Sequence, residues 1–212
     1  MSKKYFVHIV AMDENNAIGF EDKLLFPISD DLKRFKRLTR GHVVIAGTKT
    51  IKTLPLLLDR TVLHLTRDVD KYPHPDGHHV KKRIENIDEA KLGYAEPAHW
   101  AEPIFIIGGG EVYASTLDQA SVIVMTRIHA KAEKADAWYP DFLELRRPPY
   151  CTESERHVDP KSGVEYSYVI YAYDREHLKH FLKYKAKRDK EHAEESKAKT
   201  VMASKSQFPP AW

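Results

Sequence analysis

The sequence predicts an α/β protein: a three-layer sandwich around a mostly parallel central sheet, closed by a C-terminal antiparallel hairpin and followed by a helical extension. Three observations predict it. Strand-like apolar runs alternate with helix-like segments from Tyr5 to Ile128. Several of those runs are continuous Val/Ile/Leu stretches, which suit strands covered on both faces by helices. After Ile128 the pattern changes to two β-rich runs, 150–157 and 165–173, joined by Asp159-Pro160-Lys161-Ser162-Gly163, whose proline and glycine supply turn geometry.

The elements follow in order. The first strand covers 5–12 and ends at Asp13. A helix over 30–38 has Ser29 as candidate N-cap and two carboxylates, Asp30 and Asp31, in its first turn, where the helix dipole favours them. Strands over 43–46, 61–66, 104–107 and 122–128 alternate with helices over 49–54, 87–94 and 111–117, and 68–79 reads as a polar connection. From Arg175 the composition changes. Leu178, Phe181 and Leu182 fall at i, i+3 and i+4 among lysines, the pattern of a basic amphipathic helix. Beyond Ser196 small and polar residues lead to Phe208-Pro209-Pro210-Ala211-Trp212, which reads as extended and disordered in isolation.

The chain is 42% hydrophobic and 31% charged over 212 residues, enough apolar material for a sizeable core. Residues 175–212 hold ten Lys/Arg and five Asp/Glu, a net of +5; the whole-chain +3 therefore leaves 1–174 at −2. That boundary divides the chain into a unit over 1–174 and a tail over 175–212. A mildly acidic body argues against nucleic acid as its partner. Cys151 is the only cysteine, which excludes an intrachain disulfide and a CxxC site and fits a reducing compartment. No window approaches the roughly 20 apolar residues of a membrane span, so a cytoplasmic protein is expected. His74, His78 and His79, interleaved with prolines and a glycine, read as a surface turn rather than a metal site.

Three constellations carry chemistry. Asp31, Leu32 and Phe35 share one broadly apolar helical face, where a carboxylate needs a partner; capping or plain surface placement is the alternative reading. Ile107-Gly108-Gly109-Gly110-Glu111-Val112-Tyr113 joins an apolar strand to a helix through three glycines that permit close backbone approach, although a tight turn explains them equally well. Gly47-Thr48-Lys49-Thr50 and Leu65-Thr66-Arg67 put hydroxyls and cations at the carboxyl ends of strands, the edge where open α/β sheets bind ligands.

Taken in order, and together with the Ala17-Ile18-Gly19 loop and with Asp136 followed by Tyr139-Pro140-Asp141-Phe142, these segments resemble the dihydrofolate reductase family over about residues 5–174. The resemblance implies NADPH-dependent hydride transfer to C6 of 7,8-dihydrofolate with protonation of N5, giving tetrahydrofolate. It places Asp31 at the 2-amino and N3 side of the pterin, with Leu24 and Phe26 in the catalytic loop. Ala11, Leu32, Phe35 and Leu54 line the substrate pocket, Arg60 grips the glutamate carboxylate, and Thr126 reaches the pterin edge. On the cofactor side it implies Ala11, Ile18, Gly19, Gly47, Thr48, Lys49, Thr50, Leu65, Thr66, Arg67, Ile107, Gly108, Gly109, Gly110, Glu111, Val112 and Tyr113, with a cis peptide between the first two glycines of the turn. Antifolate inhibitors are further expected ligands.

The chain departs from the family at several points. Leu24-Leu25-Phe26 stands where Leu-Pro-Trp is common, and Thr48 where arginine is frequent, which throws 2′-phosphate recognition onto Lys49 and Arg67. Residues 175–212 have no counterpart in the minimal enzyme. Two readings compete with the reductase: a pteridine or riboflavin-pathway reductase of the same fold, and a non-catalytic interaction module. The tail itself reads as a helix docked on its own core or a second subunit, a solvated extension, or a binder of an acidic partner.

Overall fold

β1 (Tyr5–Met12) runs through the centre of the protein, and its side chains alternate between two apolar layers. Tyr5, Val7 and Ile9 join one buried cluster, while Phe6, Val10 and Met12 join the other. This strand therefore has no solvent face, which explains its unbroken apolar run. The computed structural model describes residues 4–67, 80–90 and 102–205.

Among the described residues the main sheet has nine strands in the order β10-β12-β8-β1-β7-β4-β5-β6, with β11 also on β12. Its strands are β4 (Val43–Gly47), β5 (Thr61–Leu65), β6 (Val80–Ile84), β7 (Pro103–Ile106), β8 (Ala120–Ile128), β10 (Tyr150–Glu153), β11 (His157–Val158) and β12 (Glu165–Ala172). From β8 to β6 all neighbours are parallel, whereas β12 runs antiparallel to its three partners β8, β10 and β11. The hairpin run expected over 150–157 is interrupted: β10 and β11 both pair with β12, separated by three residues outside the ladder.

Helices cover both faces. α1 (Ser29–Thr39), α2 (Thr48–Thr53) and α5 (Arg175–Lys205) lie on the layer of Val7 and Ile9; α3 (Gly110–Thr116), its 3-10 continuation Leu117–Gln119 and α4 (Phe142–Leu145) lie on the other. The expected Ser29 cap is not observed. Ile28 is the N-cap residue, Ser29 is already helical, and no side chain caps the first turn. Of the helix expected over 87–94, Ile87 and Ala90 are buried, while 91–94 lie outside the described residues, as do 68–79 and the three histidines.

Packing continues across the compositional boundary at Arg175. Phe181 is fully buried, with Leu178 and Tyr184 packed around it, whereas Leu182, expected on the same face, stays 38% exposed. The helix also runs past Ser196 to Lys205, beyond the point where extended chain is expected. No helix among the described residues is long and apolar enough to cross a membrane.

Among the described residues a second sheet, of three strands, escapes the sequence pattern altogether. β2 (Ala17–Phe20) pairs with β3 (Lys23–Leu24) and with β9 (Ala137–Trp138). It ties the loop after β1 to the segment after β8 and carries Ile18, Gly19 and Leu24 over the carboxyl edge of the main sheet.

Candidate active site

The site forms at the carboxyl ends of the parallel strands, where open α/β sheets leave a crevice. Asp31, in the first turn of α1, faces β8: its Oδ1 accepts a hydrogen bond from the Thr126 hydroxyl. Thr126 is fully buried and in register with Ala11 on β1, so these three residues meet at one edge. The Asp31 carboxyl is partly open to solvent but surrounded by protein, and burial raises its pKa, against which the Thr126 hydroxyl and the Arg34 charge pull downward. Leu32 beside it is 46% exposed, an apolar side chain left uncovered within the site.

Phe35, one turn further along α1, is half-buried with Leu54, the C-cap residue of α2. Arg60 lies 5.8 Å from the Phe35 ring. Its guanidinium is anchored by Thr39 Oγ1 at 2.8 Å, the Leu58 carbonyl at 2.8 Å and the Lys36 carbonyl at 3.2 Å. The end of α1 thus holds a cation beside an aromatic face, a suitable mount for a carboxylate ligand.

Three neighbouring strand ends, on β7, β4 and β5, make the second half of the site. Ile107 donates its N–H to the Ile45 carbonyl at 2.9 Å, and Gly47 donates to the Gly108 carbonyl at 2.8 Å, locking the glycine turn onto β4. The Gly108–Gly109 peptide is cis. A side chain at Gly110 would stand 2.6 Å from the Trp138 carbonyl oxygen, and one at Gly47 would meet Val112 at 2.7 Å. Tyr113 packs behind the turn, fully buried, its hydroxyl donating to the Ile9 carbonyl at 2.6 Å. Thr50 Oγ1 faces Gly109, Thr48 Oγ1 pairs with His64 Nε2 at 2.9 Å, and Lys49 is exposed. From β5, Leu65 packs into the core, Thr66 is buried, and Arg67 reaches across to Glu111 at 3.9 Å, both side chains almost fully exposed.

Comparison with known proteins decides what this arrangement is. The family model described as dihydrofolate reductase matches residues 5–175. The chain belongs to the dihydrofolate reductase family. It is 32% identical to dihydrofolate reductase HdrB of Haloferax volcanii over 143 residues, 65% of this chain and 71% of that protein. Against the dihydrofolate reductase of Staphylococcus aureus it is 32% identical over 163 residues, 76% of this chain and 93% of that one. A solved structure of the dihydrofolate reductase of Enterococcus faecalis, complexed with NADP(H) and RAB-propyl, superposes with a TM-score of 0.63 at 25% identity, covering 79% of this chain and 95% of that one.

In this member of the dihydrofolate reductase family the small sheet places the loop residues. Ile18 packs against the core layer of Tyr113, and Gly19 bridges β3 and β9. Asp136 donates its N–H to the Gly19 carbonyl at 3.0 Å and accepts from the Glu21 N–H at 2.9 Å, so it fastens the loop. Leu24 is 54% exposed at the end of that loop, whereas Phe26 is half-buried against the cluster of Ile28, Ile128 and Tyr166. The structure therefore separates Leu24 from Phe26, two residues the sequence treats alike. Asp13 is the buried anchor: it accepts from the N–H groups of Asn15, Ala17 and Ala132. Sequence reasoning missed Asp13, Trp138 and the buried Arg34; only the i, i+3 spacing of Asp31 and Arg34 signals the last of them. Among the described residues no group of His, Cys, Asp or Glu is arranged to hold a metal ion.

Proposed function

We propose that the protein reduces 7,8-dihydrofolate to tetrahydrofolate with NADPH as hydride donor. The observation that carries this reading is the juxtaposition, on one sheet edge, of a partly buried carboxylate, Asp31, facing β8, with the glycine turn that follows β7, β1 lying between those two strands.

Asp31 and Thr126 make an acceptor-rich recess bounded by Ala11 and the uncovered Leu32. An ionised Asp31 accepts the paired N–H donors of the pterin's 2-amino and N3 groups and fixes the ring in one orientation. Phe35 and Leu54 give the aminobenzoyl ring an apolar bed, and Arg60 binds the glutamate carboxylate. Protonation of N5 is served by water ordered near Asp31, with Leu24 and Phe26 restricting its access.

The residues present fit the cofactor. The turn over 108–110 carries no side chains, an added Cβ at Gly109 meeting nothing but Thr50 Oγ1 at 3.4 Å, and Gly47, Thr50 and Thr66 stand at the same strand ends. When bound, NADPH supplies the hydride that reaches C6. Ile18, Gly19, Ile107, Val112 and Tyr113 would enclose its nicotinamide end, while Thr48, Lys49, Thr50, Leu65, Arg67 and Glu111 would flank the phosphates. The cations Lys49 and Arg67 favour the 2′-phosphate form over NADH.

In this reading 1–174 is the reductase unit, 175–212 is an appendage whose first turns brace α1, the site admits antifolates, and the protein works in the cytoplasm. The test is NADPH oxidation at 340 nm by the full chain, with dihydrofolate, other pteridines and flavin-pathway substrates compared. Turnover confined to dihydrofolate supports the reading. Turnover of another substrate instead, or a folded chain that fails to bind NADPH, contradicts it.

A further inference from the structure

We propose that Arg34 is a positioning residue of this site, aiming the Thr126 hydroxyl at Asp31 and keeping the Asp31 carboxylate charged from beneath; this rests on the reductase reading above. Arg34 follows Asp31 by three residues on α1, so the two side chains leave the helix on one face. It does not turn outward to solvent. The residue is only 2% exposed, its guanidinium stacks 4.3 Å above the Tyr168 ring, and Nη1 donates to Thr126 Oγ1 at 3.2 Å and to the Met125 carbonyl at 3.5 Å.

Hydrogen-bond chemistry fixes the direction of the chain that results. A guanidinium can only donate, so Thr126 Oγ1 must accept from Arg34, and its single hydrogen is left for the Asp31 carboxylate. The order Arg34 N–H, Thr126 O–H, Asp31 carboxylate is therefore one-way, and each bond polarises the next. With Asp31 protonated and donating, Thr126 Oγ1 would accept from both neighbours and its own hydrogen would lose the carboxylate as acceptor.

Charge accounting leads to the same pairing. Among the described residues no carboxylate lies within 4.0 Å of the Arg34 guanidinium. The neighbouring groups on α1 are Asp30, bound to Lys33 at 2.8 Å, and Arg37, bound to Asp189 of α5 at 2.7 Å; Asp189 also holds Lys185 at 2.7 Å. β12 contributes Tyr166 and Tyr168, and α3 contributes Tyr113, all phenols held neutral by burial. Asp31 is the anion left to balance Arg34. A buried cation is costly to keep without such a partner, and burial alone would push Asp31 toward its neutral form, in which it no longer offers a full acceptor to the pterin.

The test is a carboxyl 13C titration of the full apo chain labelled at aspartate, with Asp31→Asn used to identify the Asp31 signal. Wild type, Arg34→Gln and Arg34→Lys are compared, and Arg34→Met replaces the glutamine variant if that fails to melt cooperatively. The neutral variant is expected to raise the Asp31 midpoint by about one pH unit or more, and the acid limb of kcat/KM for dihydrofolate should move with it, while Arg34→Lys stays within about half a unit. An unmoved midpoint in the neutral variant, or equal shifts in the neutral and lysine variants, overturns the proposal. Because the titration needs no turnover, a wild type inactive on dihydrofolate would fail the reductase reading and leave this test intact.

Discussion

The Tyr184 hydroxyl donates a hydrogen bond to the Leu38 carbonyl oxygen, so the C-terminal helix caps the end of the helix that carries Asp31. Arg188 adds two more bonds, from Nε to the Arg37 carbonyl at 3.0 Å and from Nη2 to the Arg40 carbonyl at 3.1 Å. The carbonyls at the end of α1 would otherwise lack partners from their own helix.

The first half of α5 should therefore contribute to stability and the far end should not. Phe181→Ala, at a fully buried position, is expected to lose roughly 3–5 kcal/mol in urea unfolding. Truncation after Glu195, which keeps the Arg40–Glu195 pair, should change stability by no more than about 0.5 kcal/mol. Equal losses from both changes would show that the exposed end also carries load.

Asp31→Asn should remove a loss of stability that wild type shows as pH rises toward neutral. Burial raises the folded-state pKa of Asp31 above its unfolded value, so between those two values the folded state binds more protons and stability falls as pH rises. Asparagine does not titrate, so it abolishes that slope, and at every pH it leaves the Arg34 guanidinium without its anion. Wild type should therefore exceed the variant in melting temperature by more in acid, below the ordinary carboxylate range, than at pH 7. A difference that does not change with pH refutes this linkage.

His8 acts in the opposite sense. Its Nε2 meets Thr116 Oγ1 at 2.9 Å, and that hydroxyl already donates to the Val112 carbonyl at 2.6 Å, so Nε2 carries the hydrogen and Nδ1 accepts from the Tyr139 hydroxyl at 2.8 Å. Burial lowers the His8 pKa to about 3. The folded state then binds fewer protons than the unfolded state between pH 6.5 and about 3, and stability is lost as pH falls through that window. His42, also lowered by burial, adds in the same direction. The loss from His8 should be on the order of a few kcal/mol, and His8→Gln should flatten it in denaturation curves measured at pH 7 and pH 4. An equally steep acid loss in that variant would exonerate His8.

Gly110 and Gly47 should respond differently to a methyl group. At Gly110 the added Cβ meets a backbone oxygen, while at Gly47 it meets the end of the Val112 side chain, which can rotate. Gly110→Ala is expected to cost about 1–3 kcal/mol and to weaken NADPH binding in fluorescence titrations. Gly47→Ala should do less of both. The reverse ranking would mean that β9 yields more readily than the core.

The sequence makes some of this legible and hides the rest for identifiable reasons. β1 is readable to the residue, and β4, β5, β7 and β8 to within two, because two-faced burial demands continuous apolar runs. β6 reads Val-Lys-Lys-Arg-Ile and hides in its charges, although it pairs with β5 in parallel. The small sheet is invisible because its strands are two to four residues long and held by distant partners, such as Asp136 on Gly19, with Asn16, Glu21 and Asp22 at positive φ in the intervening turns. In the site, Asp31 and the glycine turn stand out by pattern. Arg34 does not, since its role depends on Thr126 and Tyr168, more than 90 residues away in the chain.

The most direct measurement is the dihydrofolate-dependent rate of NADPH oxidation by wild type and Asp31→Asn from pH 5 to 8. The variant's rate should fall about 10²-fold or more near neutral pH and recover partly in acid, where N5 takes its proton from solvent. A folded Asp31→Asn protein that matches wild type at pH 7 would contradict the central role given to this carboxylate.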